Sequence, residues 1–458
     1  MSIRDRYILF ALIAFGLVVK LLWLDVNELA HDEPFTVYWS QRPLPELWAM
    51  LRTENNPPLY FLLIKAWSAI VPFEAAWLRV PSALFSALTV WPLFLLARRM
   101  GGPLVAVIAS LLFTLNNYHY GFAHEVRAYS LFALLVVSGM WLLWRAKDHP
   151  ERANRTMLAL AVINVGMVYT HFFGWLAIGL QLVVVLLLSE FRPVRRRFLI
   201  GLLITAVCST PYALIFLGRL SQSVTHGTWL EAPVPEELYN MIWRWSNAPV
   251  LAVAFLAIIA VGLFRSRAVS LEIRFALLWT FLPLFGMFLV SFVVPIFLDR
   301  YLVYAAPGFA LLVALSIGGL HVPMRASNAL VAIVMVGMAF TFTPWKDSGR
   351  HPSRVVAQVN KWASVDHTFH VVPRWYWLNY LAAEDLDQLK EDQTPLITYA
   401  LGAVEAFPMD PTGPTIVVDA SGSTRPADAA WYRSLRDAYP AVDSLEADHR
   451  VWVYRFHR

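Results

Sequence analysis

Apolar runs of the length needed to cross roughly 30 Å of hydrocarbon recur along this chain, separated by short polar loops. Eleven spans are expected, near residues 7–24, 80–97, 103–120, 128–144, 156–170, 172–189, 197–217, 249–264, 275–294, 302–319 and 326–343. The rhythm breaks in three places. Segment 25–79 is long and only partly apolar, and within it Asn55-Asn56-Pro57-Pro58-Leu59-Tyr60 leads into an apolar stretch. Paired prolines suit a helix start, and an interfacial helix is expected there, because a span would put the Arg98-Arg99 loop on the wrong side. Segment 218–248 mixes aromatic and acidic residues, as in a short helix lying on a membrane surface. After Trp345 no spanning run remains. There, 367–373, 414–420 and 450–456 read as strands, with a helix from Asp428 to Tyr439.

The fold class is therefore an all-α polytopic membrane protein with a small C-terminal α/β extracytoplasmic domain. Residues 1–344 form the transmembrane domain, with outer loops at 25–79 and 218–248, and 345–458 form the soluble domain. Composition agrees: the chain is 58% hydrophobic and 15% charged, with mean hydropathy +0.54, where a soluble chain is about 25% charged. Ala11 to Leu24 runs without a small-residue cleavage site and reads as an uncleaved first span. The single cysteine, Cys208, lies in an apolar run, so no disulfide framework is expected.

The placement of charge orients the chain. With a cytoplasmic N-terminus, the inner loops hold sixteen basic and five acidic residues, and the outer segments before 345 hold twelve acidic and eight basic. This follows the positive-inside rule. The basic loops are topology signals in contact with membrane lipid and require no nucleic acid. Compactness and the lack of eukaryotic targeting signals point to a bacterial inner membrane.

Four polar clusters fall on the outer side in this topology. The first is His31-Asp32-Glu33. Adjacent carboxylates at a bilayer boundary are costly; they suit proton abstraction from a hydroxyl, while Asp32 also reads as a plain helix cap before Pro34. The second is Glu54 with Asn56 before the proline pair, equally an ordinary turn. The third is His124-Glu125-Val126-Arg127-Ala128-Tyr129, where Glu125 and Arg127 either pair with each other or Arg127 forks onto phosphate oxygens. The fourth is Asp299-Arg300-Tyr301, otherwise an interfacial anchor. His171 reads as an interfacial histidine. Arg79 and Arg219 sit at span ends, where they also snorkel. Together the clusters put carboxylates and arginines on one membrane face, a composition suited to a phosphate leaving group and an acceptor that must lose a proton.

In order, the chain carries an Asp-Glu pair after span one, Pro57-Pro58-Leu59-Tyr60, Leu78-Arg79-Val80-Pro81-Ser82-Ala83-Leu84 leading to Arg98-Arg99, Glu125-x-Arg127-x-Tyr129, Tyr169-Thr170-His171, and Asp299-Arg300-Tyr301 followed by Pro307. This series resembles glycosyltransferase family 39, which includes protein O-mannosyltransferases and the aminoarabinose transferases acting on lipid A. The resemblance covers roughly residues 1–320. It implies the membrane-embedded C-type glycosyltransferase fold, a polyprenyl-phosphate sugar donor, and inverting transfer to a lipid, glycan or protein acceptor on the outer face. It further implies Asp32 as general base with Glu33 as companion, Glu125 and Arg127 near the donor, and Arg300, Tyr301 and Arg79 at its phosphate. The chain departs from the family at Asn56, where His or Lys is common. Some relatives hold a divalent metal near this box; no cofactor is assigned here, and Glu54 with His226 or His171 are the residues able to hold such a metal. The rival readings are a non-catalytic glycolipid-binding protein and a lipid-linked sugar transporter. Few ionisable residues lie in span centres, which weighs against transport.

Overall fold

The computed structural model describes the chain except residues 55, 227–229, 266–268, 321, 365–366, 394–412 and 423–428, together with the side chains of 216, 220, 222–226 and 265. It divides into two compact units. One comprises Met1–Trp23, Trp48–Leu62 and Arg79–Pro344; the other comprises Leu24–Leu47, Leu63–Leu78 and Trp345–Arg458.

The first unit is helical. It contains α1 (Ile3–Leu21) and α6 (Val90–Thr114), then α7 (Asn117–Ala123), α8 (Tyr129–Asp148), α9 (Ala153–Thr170), α10 (Gly174–Leu187) and α11 (Arg195–His226). These are followed by α12 (Glu236–Ser246), α13 (Pro249–Arg265), α14 (Leu271–Val290), α15 (Ala306–Gly318) and α16 (Met324–Thr341). Every expected span falls on helix. By length and composition, however, five described helical stretches are able to cross a membrane, and six if α12 and α13, bent by 94°, are counted as one. The spans expected at 172–189 and 302–319 hold helices of 14 and 13 residues. At ~1.5 Å per residue these fall short of the ~20 residues that hydrocarbon requires. Apolar flanks extended both spans on paper, but Pro307 opens α15 late and a 3-10 turn takes Asp299–Leu302.

Between the expected spans 80–97 and 103–120, α6 breaks at Gly102, whose φ of 87° and ψ of −176° suit glycine alone. The N-terminus of α1 is fixed by a capping box between Ser2 and Asp5, and Arg98 Nη2 donates to the same Asp5 carboxylate at 3.1 Å. The apolar core runs from α1 and α6 through α8 and α15. Its one buried amide pair among the described residues joins α9 to α10: Asn164 and Gln181 donate to each other, both at 3.0 Å. Gly139 of α8 makes room for it, since a Cβ there would stand 2.8 Å from Gln181 Nε2.

The outer segment expected at 25–79 holds α2 (Glu33–Gln41), α3 (Leu44–Thr53), α4 (Pro58–Ser68) and the start of α5 (Ala75–Leu88). With 11 residues, α4 is too short to span. In the second unit, α2 is bound to the C-terminal segment: Arg42 donates to the carbonyls of Leu389 and Lys390, and Tyr38 Oη donates to Asp392 at 3.4 Å.

That unit also contains α17 (Pro352–Trp362), α18 (Trp377–Glu384), α19 (Ala430–Ala438) and a four-stranded sheet of β1 (Thr368–Val372), β2 (Thr415–Asp419), β3 (Ala441–Asp448) and β4 (Val451–His457). The order is β1-β2-β4-β3, with β1 and β2 parallel and the other pairs antiparallel. Val417, Tyr454 and Phe456 form one face, against Trp431 and Leu435 of α19. The three expected strands are present. β3 escaped the sequence reading because Asp443-Ser444-Leu445-Glu446 is an exposed edge without apolar alternation. The expected helix at 428–439 is α19, with Asp428 outside the described residues.

The amide pair yields a stability prediction. Gln181→Leu alone strands Asn164 and is expected to cost about 1–3 kcal/mol, while Asn164→Leu with Gln181→Leu costs less than either single change, because no polar group is then left unsatisfied. Thermal unfolding in detergent, run as a double-mutant cycle, checks this; additive losses would show that the pair is not coupled.

Candidate active site

In the first unit the polar side chains gather where loops join the helices. Arg127 lies in the turn between α7 and α8 and is held from several directions. Its Nη2 donates to Asn56 Oδ1 at 3.3 Å, its guanidinium lies 5.8 Å from the centre of the Tyr129 ring, and its carbonyl accepts from Ser82 Oγ at 3.2 Å. Ser82 in turn contacts Tyr60 Oη at 2.6 Å, and both are buried. The Pro57-Pro58-Leu59-Tyr60 box and the start of α5 thus position one arginine. Asn56, the departure from the family pattern, is the side chain that receives it.

His171 occupies the break between α9 and α10. It stacks on Phe132 at 4.9 Å and lies 5.7 Å from Tyr129 and 5.9 Å from Tyr301. Burial, followed by the positive charges of Arg127 and Arg300, pushes its pKa down to about 3. The ring is therefore neutral near pH 7. Its Nδ1 accepts from the Phe173 N–H at 3.2 Å, which assigns the proton to Nε2 as a donor. Arg127 and Arg300, far apart in sequence, act on one imidazole.

Arg300 is the second residue of the 3-10 turn Asp299–Leu302, and its N–H donates to Asp299 Oδ1 at 2.7 Å. Asp299 also pairs with Arg244 of α12 at 3.4 Å, and its carbonyl accepts from Tyr118 Oη. Tyr301 packs on Phe173 at 4.6 Å. Glu125 is half-buried, and its carbonyl accepts from Arg127 N–H at 2.7 Å. Arg79 is 1% exposed on α5 and acts electrostatically on His124, so its guanidinium is engaged inside the protein. Glu54 ends α3, its N–H bonded to the Met50 carbonyl. The side chain of His226 lies outside the described ones. Among the described residues no group of three or more His, Cys, Asp or Glu side chains is placed to hold a metal.

In the second unit, His31 has a φ of 56°, a left-handed conformation unusual for a side chain larger than glycine. Its carbonyl accepts from Asn379 Nδ2 at 3.0 Å. Asp32 follows at the N-cap position of α2, yet its carboxylate makes no cap hydrogen bond. Glu33 is buried and turns back to accept from the Ala30 N–H at 3.4 Å. The two carboxylates therefore differ: Glu33 secures the turn and Asp32, half-buried, is presented by it. Asn379, separated by 348 residues, was missed in the sequence; nothing in the local pattern marks a helix asparagine as a turn support.

The electrostatics of His171 make a measurable prediction. In a sample with labelled histidine, its imidazole is expected to stay neutral between pH 5 and 8. Arg127→Ala removes one cation that disfavours the imidazolium, so the pKa should rise. Wild-type titration near the ordinary value of about 6.5 would refute the arrangement.

Comparison with known proteins places the fold. Residues 55–215 match the family model described as dolichyl-phosphate-mannose-protein mannosyltransferase. The structure of ArnT from Cupriavidus metallidurans in the apo state superposes with a TM-score of 0.65 at 14% identity, over 99% of this chain and 98% of that one. The same protein bound to undecaprenyl phosphate gives 0.61 at 14% identity, over 97% of each chain. The apo Archaeoglobus fulgidus oligosaccharyltransferase gives 0.54 at 10% identity, over 84% of this chain and 64% of that one. No curated protein matches by sequence. The chain is an integral membrane protein with the C-type glycosyltransferase fold, and its segment 55–215 carries the mannosyltransferase family's pattern.

Proposed function

We propose that this protein is an inverting glycosyltransferase that moves a sugar from a polyprenyl-phosphate donor to an acceptor hydroxyl on the outer face of a bacterial inner membrane. The observation that carries the reading is the electrostatic action of Arg127 and Arg300 on a neutral, proton-donating His171 at the ends of apolar helices. Arginine forks match phosphate oxygens, and a membrane boundary is where a lipid-linked phosphate arrives. The undecaprenyl phosphate in the Cupriavidus ArnT structure supports the same donor class.

In this mechanism the acceptor hydroxyl hydrogen-bonds to Asp32. As its oxygen attacks the anomeric carbon, the proton passes to the Asp32 carboxylate. The bond from that carbon to the phosphate oxygen breaks on the opposite face, and polyprenyl phosphate leaves with the electron pair. Arg127 and Arg300 hold the developing charge with His171 Nε2–H, an electrostatic task that is usually the larger contribution. Tyr301 and Glu125 flank the donor. Asn56 and Glu33 act through their neighbours, Asn56 on Arg127 and Glu33 on the turn that carries Asp32.

Two predictions separate these roles. Asp32→Asn is expected to lower transfer by ~10²–10⁴-fold, the usual worth of a general base, while binding of the lipid phosphate is unchanged; Arg300→Ala should weaken donor binding and turnover together. Transfer assayed in liposomes with a panel of polyprenyl-phosphate sugars tests both, and near-normal turnover of Asp32→Asn would remove it from the role. Asn379→Ala releases the His31 carbonyl and should lower kcat with donor KM unchanged. An effect on KM alone would instead make Asn379 part of the donor site.

A further inference from the structure

The C-terminal segment contains a cavity of about 530 Å³ unrelated to the residues above. That volume lies in the range of small-molecule sites, ~300–1,000 Å³. Its floor is a cluster of three aromatic rings. Trp377 and Tyr380 are nearly parallel, 21° apart with centres at 5.7 Å, and Phe369 lies 5.2 and 5.0 Å from them. Trp377 and Phe369 are only half-buried, so part of this surface is open. The indole N–H of Trp377 is itself buried and has no acceptor among the described residues.

The rim is polar. Asn360, His367, Glu384, Gln388, Glu391 and Gln393 line it, and the described lining includes neither lysine nor arginine. Gln388 Nε2 already donates to Glu384 at 3.0 Å, which leaves the amide oxygen and the second N–H of Gln388 and the second carboxylate oxygen of Glu384 for a ligand. Asn360 is exposed.

We propose that this cavity is a binding site for an uncharged saccharide unit. A sugar ring has one face of weakly positive C–H groups and an equator of hydroxyls. The negative faces of aromatic rings attract the former. Hydroxyls both donate and accept, and amides and carboxylates together supply both functions. A purely apolar ligand would leave the carboxylates and amides it covers without partners. A phosphorylated or acidic sugar would meet two carboxylates and, among the described lining residues, neither lysine nor arginine. The assignment stands whether or not the protein is a transferase.

The test is saturation-transfer NMR on the full chain in lipid nanodiscs, with methyl hexosides and neutral disaccharides of glucose, galactose, mannose and N-acetylglucosamine as probes. Maltoside detergents are excluded, since they are themselves saccharides. Transfer to the ring C–H protons of at least one neutral probe is expected. Gln388→Ala should weaken binding about tenfold, the equivalent of one hydrogen bond of ~1.4 kcal/mol, and Trp377→Ala should abolish it while Trp377→Phe retains it. Circular dichroism and thermal unfolding verify that each variant is folded. Silence across the whole panel, equal signals in the folded Gln388→Ala and Trp377→Ala variants, or preference for glucose 6-phosphate or a lysine-containing peptide over every neutral sugar would overturn the assignment. Because binding is read without turnover, its failure is distinct from failure of the Asp32→Asn test.

Discussion

A guanidinium at the end of an apolar helix bundle must be paired and oriented, or it turns to water. The fixing of Arg127 is the constraint on which the first unit's site rests. Asn56 meets its side chain, Ser82 its carbonyl and Tyr129 its cationic face. Each contact comes from a different part of the chain: the loop after α3, the α5 helix and the start of α8. Holding one side chain therefore fixes three backbone elements, and the tyrosine that stacks on Arg127 also borders the imidazole of His171. The pocket around the imidazole is a product of the same restraint.

The second unit solves a different problem, the display of a carboxylate. A helix N-terminus naturally draws an Asp side chain back onto its own amides. Here the left-handed backbone at His31 redirects the chain before α2, Glu33 ties the turn to Ala30, and Asp32 does not cap. Positive φ at a residue other than glycine persists only where surroundings enforce it, and the enforcing group is an amide from α18.

Much of this was legible in the sequence, and the reasons differ by element. Apolar runs announced the helices because burial in hydrocarbon is a one-dimensional signal. The strands of the C-terminal domain were visible where both faces are packed, as in Ile416-Val417-Val418, and invisible in β3, which among the described residues has a strand neighbour on one side only. Among the candidate site residues, ordered boxes singled out Asp32, Arg127 and Arg300 because they follow one another in the order of the family they resemble. Pattern did not reveal that two arginines would act on His171, nor that Asn379 supports the acidic turn, since both depend on how distant segments fold together. Helix length was overestimated for α10 and α15 because hydropathy does not register where a proline or a 3-10 turn truncates the helix.

The open edge of β3 has a consequence beyond its own unit. Its outward residues include Asp443 and Glu446, and the ladder to β4 is broken by a bulge between Glu446 and Asp448. A bare strand edge is a template on which another copy of the same chain can continue the sheet. Membrane proteins are confined to two dimensions, where copies collide repeatedly in similar orientations, so such a template would be a constant hazard. Exposed carboxylates, Asp443 paired with His457 at 3.0 Å among them, and an interrupted hydrogen-bond ladder make the least hydrophobic strand of the domain a poor template for such growth.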